Sequence, residues 1–268
     1  MQVKHYILAL LFAITITPRA GAQTKVVTLD CFFNNEYRKN TAGSMERFHY
    51  TWEDTKSTGY SIWGGVFEKN GATLKSLTVE PTAESLKGSD IYIIVDPDTR
   101  KETANPNYIE SRHIKAIRAW VKNGGILVML ANDSANAELP HLNKLAEEFG
   151  IHFNDDLYKH VIDKQFEMGA INIRPDNSIF KTAGKVYLKD IATLQLSRGA
   201  VPVLTDSNKV IVATARYGRG IVFAVGDPWI YNEYTNGRLP ASFGFENDKA
   251  AEDITRWLLM QIRPKETN

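Results

Sequence analysis

Apolar and polar positions follow two different periods over the first 150 residues. Apolar residues at helical spacing predict helices over 61–70 and 110–122, and two further helices, each ended by a glycine, are predicted over 82–87 and 139–149. Short runs of β-branched and apolar residues predict strands over 25–33, 73–79, 90–95 and 126–130. Strands that alternate with helices of this length form parallel sheets, because right-handed crossovers bring the chain back to the same sheet. We therefore expect a parallel sheet with helices on both faces.

The pattern changes after residue 151. Residues 154–180 are rich in loop-forming types, and 185–196 alternates like a half-exposed strand. Strands separated by short turns are predicted over 201–204, 210–216 and 220–225, and a closing helix over 247–262. No internal repeat or low-complexity linker interrupts the chain. We expect one α/β domain over 23–268, with a mostly parallel, flavodoxin-like sheet flanked by helices and an antiparallel C-terminal extension.

The first 22 residues have the layout of a secretory signal peptide. Lys4 and His5 precede an apolar run over 6–16, and the small residues of 20–22 come before Gln23. The apolar run is shorter than the roughly 20 residues that a membrane-spanning helix needs. We expect cleavage after residue 22 and a periplasmic or secreted protein without a membrane span.

The charge balance and the cysteine content limit the kinds of partner and the covalent bonds that the protein can have. The chain has 32 basic and 31 acidic residues and no basic run, which argues against a nucleic-acid partner or a membrane-surface partner. Cys31 is the only cysteine, so no internal disulfide can form. The predicted ligand is small or neutral, or it carries few charges.

Four predicted strands end in carboxylate or amide side chains. Ligands of open parallel sheets bind outside the carboxyl ends of the strands, where loops and helix N-termini converge. Carboxylates at such an edge can bind sugar hydroxyls, hold a cation, or act as acid and base. The predicted ligand-binding rim consists of Asn34, Glu36, Asp96, Asp98, Asn132, Asp133, Asp227, Trp229, Tyr231, Asn232 and Glu233.

A structural interpretation competes with this one. Asp and Asn are favoured at turns and helix N-caps, because their side chains bind nearby backbone amides, and this accounts in part for Asn132 and Asp133. The residues after the strand over 220–225 favour function instead. Aromatic rings beside amide and carboxylate groups, as at Trp229 and Tyr231, are typical of a sugar-binding surface.

Other chemistries find little support. A strand-to-helix elbow would need a nucleophile near 132, but Ser134 comes late and without flanking glycines, and Cys31 lies within a predicted strand. No two histidines have metal-ligand spacing on one helix, so no metal site and no cofactor are predicted. Calcium held by Asp96, Asp98 and Asp227 stays open as an unspecific alternative.

Several segments together resemble a known domain. They are LDCFFNNEYRKN, RFHYTWEDTKSTGYS, YIIVDPDTRKETANPNYI, GGILVMLANDSANAELPHLNKLAEEFGIHFND and FAVGDPWIYNEY. The chain resembles, over about 25–261, the domain attached to or encoded beside unsaturated rhamnogalacturonyl hydrolases of glycoside hydrolase family 105 in Bacteroidetes. The resemblance implies a fold like that of class I glutamine amidotransferases. It also implies a context, which is periplasmic breakdown of pectin and of rhamnogalacturonan fragments in particular.

Two departures limit what the resemblance carries over. The elbow around Asn132 and Asp133 has no cysteine, which argues against glutaminase activity, and the chain lacks the helix series of the family 105 barrel. Two hypotheses follow. The protein is a glycoside hydrolase in which Asp133 and Asp227 serve as acid and base, or it is a non-catalytic sugar-binding or assembly module that partners a family 105 hydrolase. In the second case Trp229 and Tyr231 matter most, and in both the polar segment 37–58 is either a lid over the rim or a surface loop.

Overall fold

The computed structural model describes residues 24–236 and 239–263, so the predicted signal peptide over 1–22 lies outside the described residues. The strands are β1 (Lys25–Asp30), β2 (Tyr37–Lys39), β3 (Met45–Arg47), β4 (Ala72–Leu77), β5 (Ile91–Val95), β6 (Ile126–Leu130), β7 (Ile151–Phe153), β8 (Ala170–Asn172), β9 (Lys185–Tyr187), β10 (Leu194–Leu196), β11 (Val201–Asp206), β12 (Lys209–Tyr217) and β13 (Gly220–Val225). The helices are α1 (Ser61–Lys69), α2 (Ser111–Lys122), α3 (Leu139–Ala146), α4 (Asn232–Thr235) and α5 (Asn247–Gln261).

A nine-stranded mixed sheet forms the centre of the molecule. Its strand order is β4-β1-β5-β6-β13-β12-β10-β7, and β11 also pairs with β12. The first five strands in this order are mutually parallel, whereas β12, β11, β10 and β7 join by antiparallel pairing. The predicted α/β class is confirmed, with a largely parallel sheet between helices and antiparallel strands added in the C-terminal half.

The sheet is buried on both faces because its central strands are apolar throughout. In β5, Ile91, Ile93 and Val95 belong to one core, whereas Tyr92 and Ile94 belong to the other. The first core includes side chains of α1 and α5, and the second includes side chains of α2 and α3. This period-two division is what a strand covered on both faces requires.

Three predicted elements differ from the structure. The predicted helix over 82–87 is a series of turns, and the predicted strand over 185–196 is divided into β9 and β10, which belong to different sheets. The non-periodic segment 37–58 contains the hairpin β2–β3. Hairpin strands of three residues are too short to produce a measurable alternation in the sequence.

No helix within 24–236 or 239–263 has the length and apolar character needed to cross a membrane.

Candidate functional site

Three neighbouring parallel strands end at the same edge of the sheet. Val95 of β5 is aligned with Leu130 of β6, and Leu130 is aligned with Val225 of β13. The residues that follow these strands therefore meet at one carboxyl edge, as the sequence predicts for Asp96, Asn132 and Asp227. β1 joins them, because the Asn34 side-chain amide donates to the Asp96 carbonyl oxygen over 3.2 Å.

Asp96 lies at the middle of this edge, buried, with a left-handed backbone at φ 29°. Its Oδ1 accepts from the Asn132 backbone N–H at 3.0 Å, and its Oδ2 accepts from the Tyr50 hydroxyl at 2.9 Å. Burial raises the pKa of Asp96 from 3.8 to about 7, although both hydrogen bonds oppose that shift. Asp96 thus changes its protonation state near neutral pH.

Two further carboxylates at this edge also favour the protonated form. Burial raises the pKa of Asp98 to about 6, and it raises the pKa of Asp227 well above its ordinary range, with a smaller contribution from the negative charge of Asp96. Asp98 Oδ2 accepts from the Asn35 N–H at 3.0 Å, and Asp227 Oδ2 accepts from the Lys189 N–H at 2.7 Å. The Oδ1 atoms of both side chains, and that of Asn132, are buried without a hydrogen-bond partner.

The segment between β3 and α1 covers this edge. Tyr50 contacts Asp96, and the Tyr60 hydroxyl donates to the Pro228 carbonyl oxygen at 3.0 Å. His49 stacks on the Tyr50 ring at 4.0 Å and contacts Glu36 through Nδ1 at 2.5 Å. Part of the segment 37–58 therefore lies over the predicted rim.

The aromatic residues after β13 point into the protein. Trp229 is 0% exposed and Tyr231 is 7% exposed. The Trp229 ring lies 6.3 Å from that of Phe180, and the Tyr231 ring lies 5.9 Å from that of Tyr50. In contrast to the prediction, neither residue offers an open ring face to a sugar. The sequence around Pro228 has no periodicity that could indicate the side on which these rings lie.

Asn232 holds the covering segment in place. Its side-chain nitrogen donates to the carbonyl oxygens of Asp54 and Lys56 at 3.0 and 2.8 Å and to the Ser61 hydroxyl at 2.9 Å. Its side-chain oxygen accepts from the Ile62 N–H at 3.0 Å. The Asn232 side chain is committed to the protein, and the half-buried Glu233 follows it in α4.

Asp133 stabilises a turn. Its Oδ1 accepts from the Ala135 N–H at 2.9 Å, and its Oδ2 accepts from the Asn136 side-chain amide at 2.7 Å. These bonds are those of the capping interpretation, which competes with a catalytic role. Asp133 and Asp227 therefore have different environments, since only Asp227 keeps a buried oxygen without a partner.

Nucleophilic and metal chemistry have little support at this edge. Cys31 is buried, and burial raises the pKa of its thiol to about 12, which keeps it protonated at neutral pH. Among the described residues, no group of three or more His, Cys, Asp or Glu side chains could hold a metal ion. The calcium alternative at Asp96, Asp98 and Asp227 thus lacks a ligand set.

A cavity of about 500 Å³ opens beside the ends of β1 and β4, beneath the hairpin β2–β3. We call it the hairpin cavity. Its volume lies within the range of small-molecule sites. Every lining residue except Cys31 carries a hydrogen-bonding side chain. The lining residues are Cys31, Arg38, Glu46, Arg47, Glu53, Asp54, Thr55, Lys56, Ser76 and Thr78.

None of the residues lining the hairpin cavity was predicted as a site residue. Arg38 lies opposite Glu46 and Arg47 lies opposite Tyr37 in the hairpin, so each cross-strand pair brings a guanidinium to the cavity wall. The available signal was the hairpin itself, because Asn40 begins a turn-forming segment between two short polar strands.

The comparisons with known proteins concern the fold. No protein-family model and no curated protein matches the sequence. Among solved structures, the mmIFT52 N-terminal domain is similar with a TM-score of 0.62 and 20% identity, over 88% of this chain and 97% of that chain. The cytoplasmic protein STM1381 of Salmonella typhimurium LT2 is similar with a TM-score of 0.59 and 14% identity, over 90% of this chain and 100% of that chain. The cytoplasmic protein STM3548 of Salmonella typhimurium has a TM-score of 0.56 and 16% identity, over 88% and 97% of the two chains. At these identities the chain shares with them a fold.

Proposed function

We propose that this protein is a non-catalytic carbohydrate-binding module of the periplasm, which supports the breakdown of pectic oligosaccharides beside a family 105 hydrolase. The segments that resemble the domain found with those hydrolases give the context. The chemistry of the hairpin cavity gives the ligand class.

One observation carries the proposal, and it is the polar wall of the hairpin cavity. Most small-molecule sites are lined largely by apolar and aromatic side chains. This wall instead offers guanidinium, ammonium, carboxylate and hydroxyl groups, which together donate and accept hydrogen bonds. A polyhydroxylated ligand suits this wall better than an apolar ligand does, because each ligand hydroxyl that is buried on binding needs a hydrogen-bond partner, and the wall supplies them.

The residues at the carboxyl edge of the sheet argue against hydrolysis, which favours a protein that binds sugars without catalysis. Asp133, one of the two predicted catalytic carboxylates, is bound to its own turn. The Cys31 thiol is protonated and buried. Asp96 and Asp227 are both buried beneath the covering segment, so a substrate cannot reach either carboxylate.

A glycoside hydrolase is the second candidate, and a different pair of carboxylates favours it. Burial raises the pKa of Asp96 to about 7 and raises the pKa of Asp227 well above its ordinary range, and a general acid needs such a shift. Hydrolysis would require the segment around Tyr50 to open, because the Tyr50 hydroxyl occupies one oxygen of Asp96.

The test is binding and turnover measured on the same samples. The chain from Gln23 is mixed with saturated and unsaturated rhamnogalacturonan oligosaccharides and followed by thermal shift and by mass spectrometry. We expect a rise in melting temperature without a new product, since a ligand at a hundred times its Kd adds about 2.7 kcal/mol to the free energy of unfolding. Absence of any shift over the panel would refute the proposal.

Two matched variants assign the binding to the hairpin cavity. Thr78→Trp places a large ring at the cavity wall and should abolish the shift. Thr73→Trp changes an exposed threonine of β4 that does not line the cavity, and it should leave the shift unchanged. If a product forms, its loss in Asp96→Asn and Asp227→Asn would establish the hydrolase instead.

A further inference from the structure

The charged groups of the hairpin cavity are not equally available to a ligand. Arg38 donates to Glu46 at 2.8 Å and to Asp54 at 3.3 Å, so these three side chains neutralise one another in part. The Asp54 side chain is almost fully buried and also accepts from the backbone N–H groups of His49 and Lys56, at 3.2 and 2.9 Å. Arg38, Glu46 and Asp54 together form the fixed part of the cavity wall.

Arg47 has no such partner. Among the described residues no carboxylate lies within ion-pair distance of it, and its Nη2 donates to neutral atoms, Asn35 Oδ1 at 2.7 Å and the Tyr37 hydroxyl at 2.8 Å. Its guanidinium also lies over the Tyr37 ring, 5.0 Å from the ring centre. The stacking and the two hydrogen bonds fix the plane of the guanidinium before any ligand arrives.

The Nε–H of Arg47 is buried and has no acceptor, although Arg47 lines the cavity. The Ser76 hydroxyl, also in the cavity wall, is buried, and it interacts with the Cys31 thiol, which is a weak hydrogen-bonding partner. An orphaned donor on a cation, beside a hydroxyl that contacts only a weakly bonding thiol, creates a demand for an anionic acceptor.

We propose that Arg47 and Ser76 form a carboxylate subsite in the hairpin cavity, so that the protein binds acidic sugars through the carboxylate of a uronate unit. This inference rests on the proposed function and names its ligand class. The planar guanidinium matches a carboxylate in geometry. A carboxylate is also favoured over a phosphate dianion by charge, because the three cationic side chains of the lining are balanced by the three anionic ones, Glu46, Glu53 and Asp54.

The experiment compares sugars that differ at one group. D-galacturonate, D-galactose and D-galactose 6-phosphate are titrated into the chain from Gln23 by isothermal calorimetry. Galacturonate should bind at least tenfold more tightly than the other two. A tenfold difference corresponds to about 1.4 kcal/mol. Equal affinity for galactose would overturn the subsite, and a preference for the phosphate would assign Arg47 to phosphate recognition instead.

Variants assign the effect to Arg47. Arg47→Gln should weaken galacturonate binding at least tenfold, and Arg47→Lys should also weaken it, because lysine keeps the charge but lacks the fork and the Nε donor. Ser76→Ala should weaken it to a smaller extent. Arg174→Gln, which changes an exposed arginine paired with Asp176, is the matched control and should bind like the unchanged protein. The melting temperature of each variant without sugar establishes that it is folded.

The outcomes separate this inference from the proposed function. If rhamnogalacturonan oligosaccharides bind equally well to the unchanged protein and to Arg47→Gln and Arg47→Lys, the carboxylate subsite is refuted while sugar binding stands. If no oligosaccharide binds the unchanged protein, the proposed function itself is refuted.

Discussion

Replacing Asn232 by alanine should lower the free energy of unfolding by about 3 kcal/mol. The Asn232 side chain has four hydrogen-bond contacts, to Asp54, Lys56, Ser61 and Ile62, in which its two N–H hydrogens are shared among the first three partners; only the contact with the Asp54 carbonyl is fully buried. Each of the three part-buried bonds contributes about 0.5 kcal/mol, since water can replace the lost partner in part, and the buried one about 1.5 kcal/mol, because its carbonyl is left unsatisfied. The sum gives the estimate.

Urea denaturation followed by tryptophan fluorescence measures this loss of unfolding free energy. The melting temperature should fall by roughly 6–12 °C for a chain of this size. Asn105→Ala, at an exposed position, is the matched control and should change stability by no more than about 0.5 kcal/mol. Asn232→Asp should destabilise at least as much as alanine, because a carboxylate cannot donate to the carbonyls of Asp54 and Lys56. A loss below about 1 kcal/mol in Asn232→Ala would refute the reasoning.

Three further predictions concern single residues. The pKa of Asp96 is about 7 in the folded protein against an ordinary value of 3.8, so between these pH values the folded state holds a proton that the unfolded state releases. The contribution of Asp96 to stability is therefore complete below pH 3.8 and is lost as the pH rises to 7. Over this range the melting temperature of Asp96→Asn should fall less than that of the unchanged protein, and parallel curves of melting temperature against pH would contradict this. Asp133→Ala should lower the free energy of unfolding by about 1 kcal/mol through loss of its turn bonds, without changing oligosaccharide binding in calorimetry. Cys31 should resist iodoacetamide in the folded protein and react fully in urea, because its thiol is buried with a pKa raised to about 12; rapid labelling under native conditions, followed by mass spectrometry, would show this to be wrong.

The parallel part of the fold could be predicted because its strands and helices bury apolar residues at regular spacing. The run ILVML was predicted as a strand over 126–130, and β6 has these bounds. The helix predicted over 110–122 begins one residue later, since Glu110 is its N-cap. The brief helix predicted over 82–87, with Gly88 as its cap, is instead a series of turns, because the Ser85 side chain binds the backbone at Thr82 and Glu80 and favours turns.

The candidate site was predictable only where it follows from the sheet. Asp96, Asn132 and Asp227 lie at one edge because parallel strands share their carboxyl ends. The sequence could not indicate that Tyr50 would bury Asp96, because that contact joins positions 46 residues apart. Nor could it indicate the hairpin cavity, since the position of Arg47 depends on how the hairpin β2–β3 lies against β1 and β4, and short polar strands leave that packing unspecified.

The stretch GIVFAVGDPWIYNEY links the sheet to the hairpin cavity. Asn232, at its end, binds the carbonyls of Asp54 and Lys56, and both of those residues line the cavity. The Asp54 carboxylate in turn fixes Arg38, so the end of β13 determines how well one wall of the cavity is ordered. If Asn232→Ala lowers the fraction of molecules with an ordered wall, the apparent Kd for an acidic sugar must rise by the inverse of that fraction, although Asn232 itself does not line the cavity. Unchanged sugar affinity in an Asn232→Ala protein that is clearly destabilised would mean that the cavity wall is held by its own contacts, those of Asp54 with Arg38 and with the backbone.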